Sequence, residues 1–562
     1  MSTSQPQHLP RHRMAAAGPE PASPGPALAG SPPVSPAPDR FPPASPAPAS
    51  RRPASPAAAT APAGPAPAGA APVRWIALIA AVACAVELAL ATRYGYHRDE
   101  LYFLAAGQHP AFGYVDQPPL TPLLARLTAV VSGSSLFALR LVPALVMAAL
   151  VALTAVMSRL LGAGRTGQVL AALATATCAE FLGALHLLTT TTPDFLFWGL
   201  TLVLVIRLLL SQDRRWWVAI GACAGVASEF KWNIGFLVAG LAAGLALTPA
   251  RRLATGRWLL LGAVLAAALA APDVAWQALH GWPAFHVFGG LQGDSGHNRA
   301  VYWVAQVVYT GVALVPVWIG GLNWTLRQPG GRPFRCLGIA AVFVIVIFFV
   351  LGGKPYYPGG IFLFLFAAGS VPLERRLAGR PRIGGGRLPR AAVTGTVMVV
   401  LGAAVLPILL PVLPARLLAT IPLQDINYDL AETIAWPRQV SQVARAYRAL
   451  PPAARARTAI LAGNYGEAGA IDRFGPADGL PPAYSGANNF WYWGPPPARD
   501  TDAIAINVDP ALLRREYARV RRIGTFRNGL GVQDDEQGVP LYLATGLRSG
   551  WGRAWPRFRD FG

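Results

Sequence analysis

Between residues 94 and 120 the chain reads YGYHRDELYFLAAGQHPAFGYVDQPPL and carries Arg98, Asp99, Glu100 and Asp116 among aromatic side chains, directly after a long apolar run. Charges at the end of a membrane-length apolar run are costly unless they face water, one another or a ligand. A carboxylate held there can take a proton from an attacking hydroxyl. Three more charges recur in similar short polar interruptions: Asp194 in LLTTTTPD, Lys231 in SEFKWN and Lys354 in GGKPYYPGG. Lys231 and Lys354 are the two lysines of a chain with 48 basic residues. Each alone reads as an interfacial anchor. Together, beside carboxylates, they suit a phosphate group.

The elements that position these residues follow from composition. The 562 residues are 53% hydrophobic and 13% charged, with a mean hydropathy of +0.39. Most apolar residues fall in runs of roughly 17–25, the length that crosses a bilayer core as helix. The net charge of +21 does not require nucleic acid. Arginine pairs at 51–52, 214–215, 251–252 and 375–376 flank apolar runs, the pattern that retains loops in the cytoplasm. Cys84, Cys178, Cys223 and Cys336 lie in or beside those runs and read as packing residues. Abundant Ala, Gly, Pro and Arg suggest a GC-rich bacterial genome.

Residues 1–72, rich in Pro and Ala, cannot bury enough surface to offset their ordering entropy and are expected to be a disordered cytoplasmic tail. Residues 73–413 are expected to form a membrane domain of about eleven spans: 73–92, 136–157, 168–185, 195–210, two short spans within 216–248 around SEFKWN, 259–274, 302–322, 336–351, 361–371 and 391–413. Charge bias puts the N-terminus inside and the C-terminus outside. Glu87, inside the first span, either snorkels to the interface or makes a polar contact in the cavity. From 414 to 562 short alternating runs such as TAILAGNY and DAIAINVD, with the amphipathic SQVARAYRAL, predict a small extracytoplasmic α/β domain.

On this topology Asp99, Glu100, Asp116, Asp194, Lys231 and Lys354 share the extracytoplasmic boundary. The chemistry that suits such a mouth is transfer from a polyprenyl-phosphate sugar. The lipid tail lies among helices, cations stabilise the departing phosphate, and Asp99 deprotonates the acceptor hydroxyl. One direct displacement inverts the anomeric centre.

The segment 94–120 resembles the first outer loop of bacterial glycosyltransferase family 39 proteins, relatives of the dolichyl-phosphate-mannose protein mannosyltransferases and of the aminoarabinose transferase acting on lipid A. TTPD (191–194), FKWN (230–233), PDVAWQALHGWP (272–283), GKPYYPGG (353–360), NYGEAGAIDRFG (464–475) and SGANNFWYWGP (485–495) extend the likeness in order. The resemblance implies a GT-C-like polytopic α-helical membrane protein, a polyprenyl-phosphate-linked donor, and an acidic residue of the first outer loop as base. That maps onto Asp99 and Glu100, with Asp99 first. Arg98, Asp116, Asp194, Lys231 and Lys354 are then the donor-binding set. Glu467 and Trp491 are expected at the acceptor, although the aromatic cluster around Trp491 reads rather as packing. Some GT-C enzymes use a divalent cation; His97, His186 and His297 are scattered, and no ligand set is fixed. The expected partners are membrane lipids, the lipid-linked sugar and an envelope glycolipid, polysaccharide or protein, at the bacterial cytoplasmic membrane. A transporter or lipid flippase is the competing class, disfavoured because the charges gather on one side and few lie near the midplane.

Overall fold

The computed structural model describes residues 71–378, 389–421 and 427–561. The tail expected at 1–72 and the basic loop around residues 380–390 lie largely outside the described residues.

Among the described residues, six helices are long and apolar enough to cross a membrane: Val73–Leu90 (α1), Leu136–Leu160 (α4), Thr191–Ser211 (α7), Arg257–Leu279 (α10), Pro329–Leu351 (including α14, Arg335–Leu351) and Arg390–Leu409 (α16). The remaining expected spans take other forms. The SEFKWN turn separates two shorter apolar helices, Trp216–Ser228 (α8) and Ile234–Ala246 (α9). The stretch 168–185 is divided between Arg165–Ala176 (α5) and Ala179–Ala184 (α6). The stretch 302–322 is no straight helix either. After Ala284–Leu291 (α11), Ser295–Thr310 (α12) gives way to Val315–Arg327 (α13), and the pair is bent by 84°. Gly311 at the break has φ +91°, a conformation outside the helical region that glycine adopts without strain. Ile361–Ala378 (α15) is deeply buried, with every residue from Ile361 to Pro372 buried. Its Gly369 packs against the Val317 carbonyl of α13, where a Cβ would collide.

Two helices lie where the sequence suggested loop. Arg98–Gln108 (α2) begins inside the charged segment, and Leu120–Ser132 (α3) follows it, with Leu127, Val130 and Val131 exposed. α2 starts where it does because His97 caps it. The His97 ring accepts from the Asp99 N–H, and Glu100 reaches back to the His97 N–H, the reciprocal arrangement of a capping box.

Near the C-terminal end of the chain is a five-stranded mixed sheet in the order β2-β1-β3-β5-β4. β1 (Thr458–Ala462) pairs in parallel with β2 (Ala483–Ser485) and β3 (Asp502–Ile506); β5 (Pro540–Leu547) runs antiparallel to β3 and to β4 (Tyr517–Thr525). β1 and β3, expected from short alternating runs, are buried at every position. The amphipathic helix Trp436–Arg448 buries Trp436, Val440, Val443 and Ala444 beside the sheet. The β1 crossover helix, Tyr465–Phe474, packs along α2, and Gly469 permits the approach: a Cβ there would lie 3.0 Å from the Leu101 backbone. Sheet and membrane helices therefore meet at the charged segment.

Candidate active site

Asp99 and Glu100 sit in the first turn of α2, where the helix dipole favours carboxylates, yet their surroundings differ completely. Glu100 is fully buried. It accepts from Arg140 Nε (3.0 Å) and Nη2 (2.9 Å), from the His97 N–H (2.8 Å) and from the Leu188 N–H (3.1 Å). Arg140, projecting from α4, also donates to the carbonyls of Ala91 and Gly95, both at 2.8 Å. It thereby ties the end of α1 to the start of α2. His186 lies 3.4 Å from Arg140 Nη1 and 3.0 Å from the Glu87 carboxylate, so Glu87 makes the polar contact rather than snorkelling. With four donors on its two oxygens, Glu100 has no room to act as a base. It holds the turn in place.

Asp99 keeps about a third of its side chain (34%) exposed. Its carboxylate accepts one side-chain hydrogen bond, from Tyr465 Oη at 3.0 Å. The Tyr465 ring is 4.8 Å from that of Tyr102, whose hydroxyl donates to Asp116 at 3.0 Å. Asn488 donates to the other Asp116 oxygen at 3.1 Å. Burial raises the Asp116 carboxyl to about 7, against the pull of its hydrogen bonds. Two tyrosines thus bridge two acids of opposite character: one accessible, one desolvated and held.

Arg98 does not face open space. It bonds to the Tyr428 hydroxyl and to Asp535 (2.9 Å), approaches Glu432 (3.7 Å), and lies over the Tyr465 ring at 5.0 Å. These contacts fasten residues 428–432 and 535 onto α2. Glu467 is likewise not in an open acceptor site. It is buried at the third position of its helix and accepts the Gly463 N–H (3.0 Å) and the Asn464 N–H (3.2 Å). Burial raises its carboxyl to about 8. Trp491 packs edge-on to Tyr492 and Phe561 and donates to the Trp555 carbonyl at 3.2 Å. The packing reading of the aromatic cluster is the one its contacts match.

A second group faces the first. Asp194 is buried and accepts from Trp198 Nε1 (2.9 Å) and Asn233 Nδ2 (3.1 Å). Lys231 donates to Thr191 at 2.8 Å and lies 5.6 Å and 5.3 Å from the rings of Tyr356 and Tyr357. Lys231 and Lys354 are near enough to repel, and Lys231 also feels Asp194 and Glu180. Tyr356 connects the groups: burial, and then the charges of Asp429 and Asp99, push its phenol up. Lys231 and Asp99 thus both act on Tyr356. Beside this, Phe112, Leu120, Leu123, Val226, Glu229 and Leu269 line an apolar groove of about 440 Å³, two residues along the chain from Lys231.

Sequence reasoning missed Arg140, Tyr102, Tyr465 and Glu180. Glu180, buried with one oxygen lacking a hydrogen-bond partner, was hidden inside an apolar run. Arg140 lies inside the expected 136–157 span with no pattern that sets it apart, and nothing in the spacing joins Tyr465 to a residue 366 positions away. Among the described residues no three His, Cys, Asp or Glu side chains converge to hold a metal ion. The described donors do not fit a resident cation, and no step is routed through one.

Residues 116–276 match the dolichyl-phosphate-mannose-protein mannosyltransferase family. The chain is similar to the crystal structure of ArnT from Cupriavidus metallidurans in the apo state, with a TM-score of 0.51 and 16% identity over 84% of this chain and 98% of that one. It is similar to the same protein bound to undecaprenyl phosphate, with a TM-score of 0.50 and 17% identity over 84% and 98%. No curated protein matches the sequence. At such identities the likeness to ArnT is one of fold. The resemblance to the mannosyltransferases and the mostly helical GT-C-like fold, both expected from the motifs, are what these comparisons find.

Proposed function

We propose that the protein is an inverting glycosyltransferase that moves a sugar from a polyprenyl-phosphate donor to a cell-envelope acceptor at the extracytoplasmic face of the cytoplasmic membrane. One observation carries this reading. An accessible carboxylate, Asp99, and Lys231 both act on Tyr356, and Lys354 acts on Lys231, while the neighbouring Glu100 is wholly taken up by Arg140 and backbone donors.

In this account the Asp99 carboxylate takes the proton of the acceptor hydroxyl as that oxygen bonds to the anomeric carbon. The bond from that carbon to the phosphate oxygen breaks, and its electron pair leaves with the phosphate. Lys231 and Lys354 stabilise the resulting charge, and phosphate needs little protonation to depart. The desolvated Asp116, held by Tyr102 and Asn488, orients donor hydroxyls. Asp194 sets the position of Asn233 beside Lys231. The apolar groove at Leu120 and Leu123 suits the first isoprene units of the tail. That a structure of the same fold holds undecaprenyl phosphate supports the donor class. About eleven crossings, with the N-terminus inside, would put α2 and the sheet outside, as two units at 73–413 and 414–562.

The test is transfer itself. Membranes containing the protein are incubated with radiolabelled polyprenyl-phosphate sugars and envelope extract, and the labelled fraction is isolated. The expected result is one labelled acceptor class with the anomeric configuration inverted, and a raised KM for the donor in Lys231→Ala and Lys354→Ala. A retained configuration would exclude the single displacement. No transfer from any donor by the folded protein would favour a transporter.

A further inference from the structure

The far end of the helix layer carries a second feature, remote from Asp99. α1 has 18 residues, about 27 Å of helix, and Asp99 follows its last turn. Around its first turn, α1, α5 and α16 leave a groove of about 950 Å³. Val169, Leu173 and Val399 are among its apolar walls, and Gly395 keeps the wall thin on the α16 side. Arg74 and Arg165 stand on its lining, both exposed, and neither forms an ion pair with a described residue. Arg74 lies over the Trp75 ring at 5.6 Å, a ring of the kind that settles at the headgroup level.

We propose that this groove seats an anionic membrane phospholipid, with its phosphodiester between Arg74 and Arg165 and its acyl chains along α5 and α16. Two guanidinium groups with no ion pair among the described residues are suited to a phosphodiester, which can accept bidentate hydrogen bonds. The apolar walls run into Val397, Val399 and Val400 of α16, large side chains left exposed and therefore facing lipid tails. Glu374 comes near this end of α5, where its carboxylate accepts from the Gly164 N–H at 2.6 Å, but it forms no ion pair with Arg165 among the described residues. The membrane supplies the further negative charge that the two guanidinium groups suit. The inference does not depend on the transferase reading.

Native mass spectrometry of the full-length protein, titrated with dioleoyl phosphatidylglycerol or dioleoyl phosphatidylcholine, tests it. The wild type should retain the anionic lipid at least tenfold more tightly than the zwitterionic one, and Arg74→Ala/Arg165→Ala should abolish that preference. Ala392→Trp, which fills the groove and leaves both arginines, should weaken retention as much. Arg251→Ala/Arg252→Ala, an equal loss of charge at another loop, should leave it unchanged. Equal loss in that control would make the binding mere surface charge and overturn the proposal. So would retention unaffected by Ala392→Trp, or displacement of the lipid by millimolar inorganic phosphate, which would indicate an anion site without a lipid seat.

Discussion

Asp99 and Glu100 are adjacent in sequence, equal in chemistry and opposite in environment, and the difference lies in which residues reach them. Glu100 meets a buried guanidinium, and removing one partner of such a pair leaves an unpaired buried charge at a cost of about 3–5 kcal/mol. Arg140→Met should therefore lower the melting temperature in detergent sharply, whereas Asp99→Asn should leave it near the wild-type value. An Arg140→Met protein as stable as wild type would mean that the pair does not organise the turn. Tyr465 invites the complementary experiment. Its hydroxyl donates to the Asp99 carboxylate, and a hydrogen bond to a charged group contributes about 1.5–3 kcal/mol. Tyr465→Phe should reduce kcat roughly 10- to 100-fold, the same energy expressed as rate, with the donor KM little changed. A change confined to KM would place Tyr465 in binding instead.

At the scale of elements, α2 shows what patterning can and cannot reveal. Its sequence, RDELYFLAAGQ, has no clean apolar stripe because both of its faces are covered, by α3 on one side and by the Tyr465–Phe474 helix on the other. The start signal was present, but its cap is a histidine rather than Ser, Thr, Asp or Asn. α3 is too short to register as a span. The break at Gly311 was likewise marked by a residue type, while the apolar run around it argued for continuity. The strands β1 and β3 and the helix Trp436–Arg448 were legible because each has one unambiguous period.

The junction of these elements is also where pH should act. Burial, reinforced by mutual repulsion, raises Glu432 to about 9 and Glu536 to about 8, beside Glu467 at about 8, with Arg98, Asp534 and Asp535 facing them. Folded-state values above the unfolded value of about 4.3 mean that the folded protein holds protons the unfolded chain has released. Their contribution is complete below about 4.3 and is lost as pH rises through 8 to 9. Thermal stability, measured by melting and by hydrogen exchange at residues 463–467, should fall between pH 5 and pH 9. Glu467→Gln should flatten that dependence. A profile rising with pH would contradict the buried, protonated state.

Across the whole molecule, what the sequence disclosed was the solvent. Apolar runs identified a multi-pass membrane protein, and the rarity of lysine singled out the two cations that the fold brings together. What it could not disclose was the closing of the site by residues from the far end of the chain. Tyr428, Tyr465, Asn488 and Asp535 reach α2 and Asp116 only because the sheet's crossover helix lies against α2. Such long-range contacts leave no periodicity behind. Glu467 and Trp491, expected at an acceptor, also pack into this joint.

The central claim is that Asp99 removes the acceptor proton. The most direct measurement compares transfer of labelled sugar from a polyprenyl-phosphate donor by purified wild type and Asp99→Asn, at saturating donor and with matched melting temperatures. Loss of a positioned base typically costs about 10²–10⁴ in rate, and a fall of that size in kcat with the donor KM preserved is the predicted result. Transfer by Asp99→Asn at the wild-type rate would contradict the account.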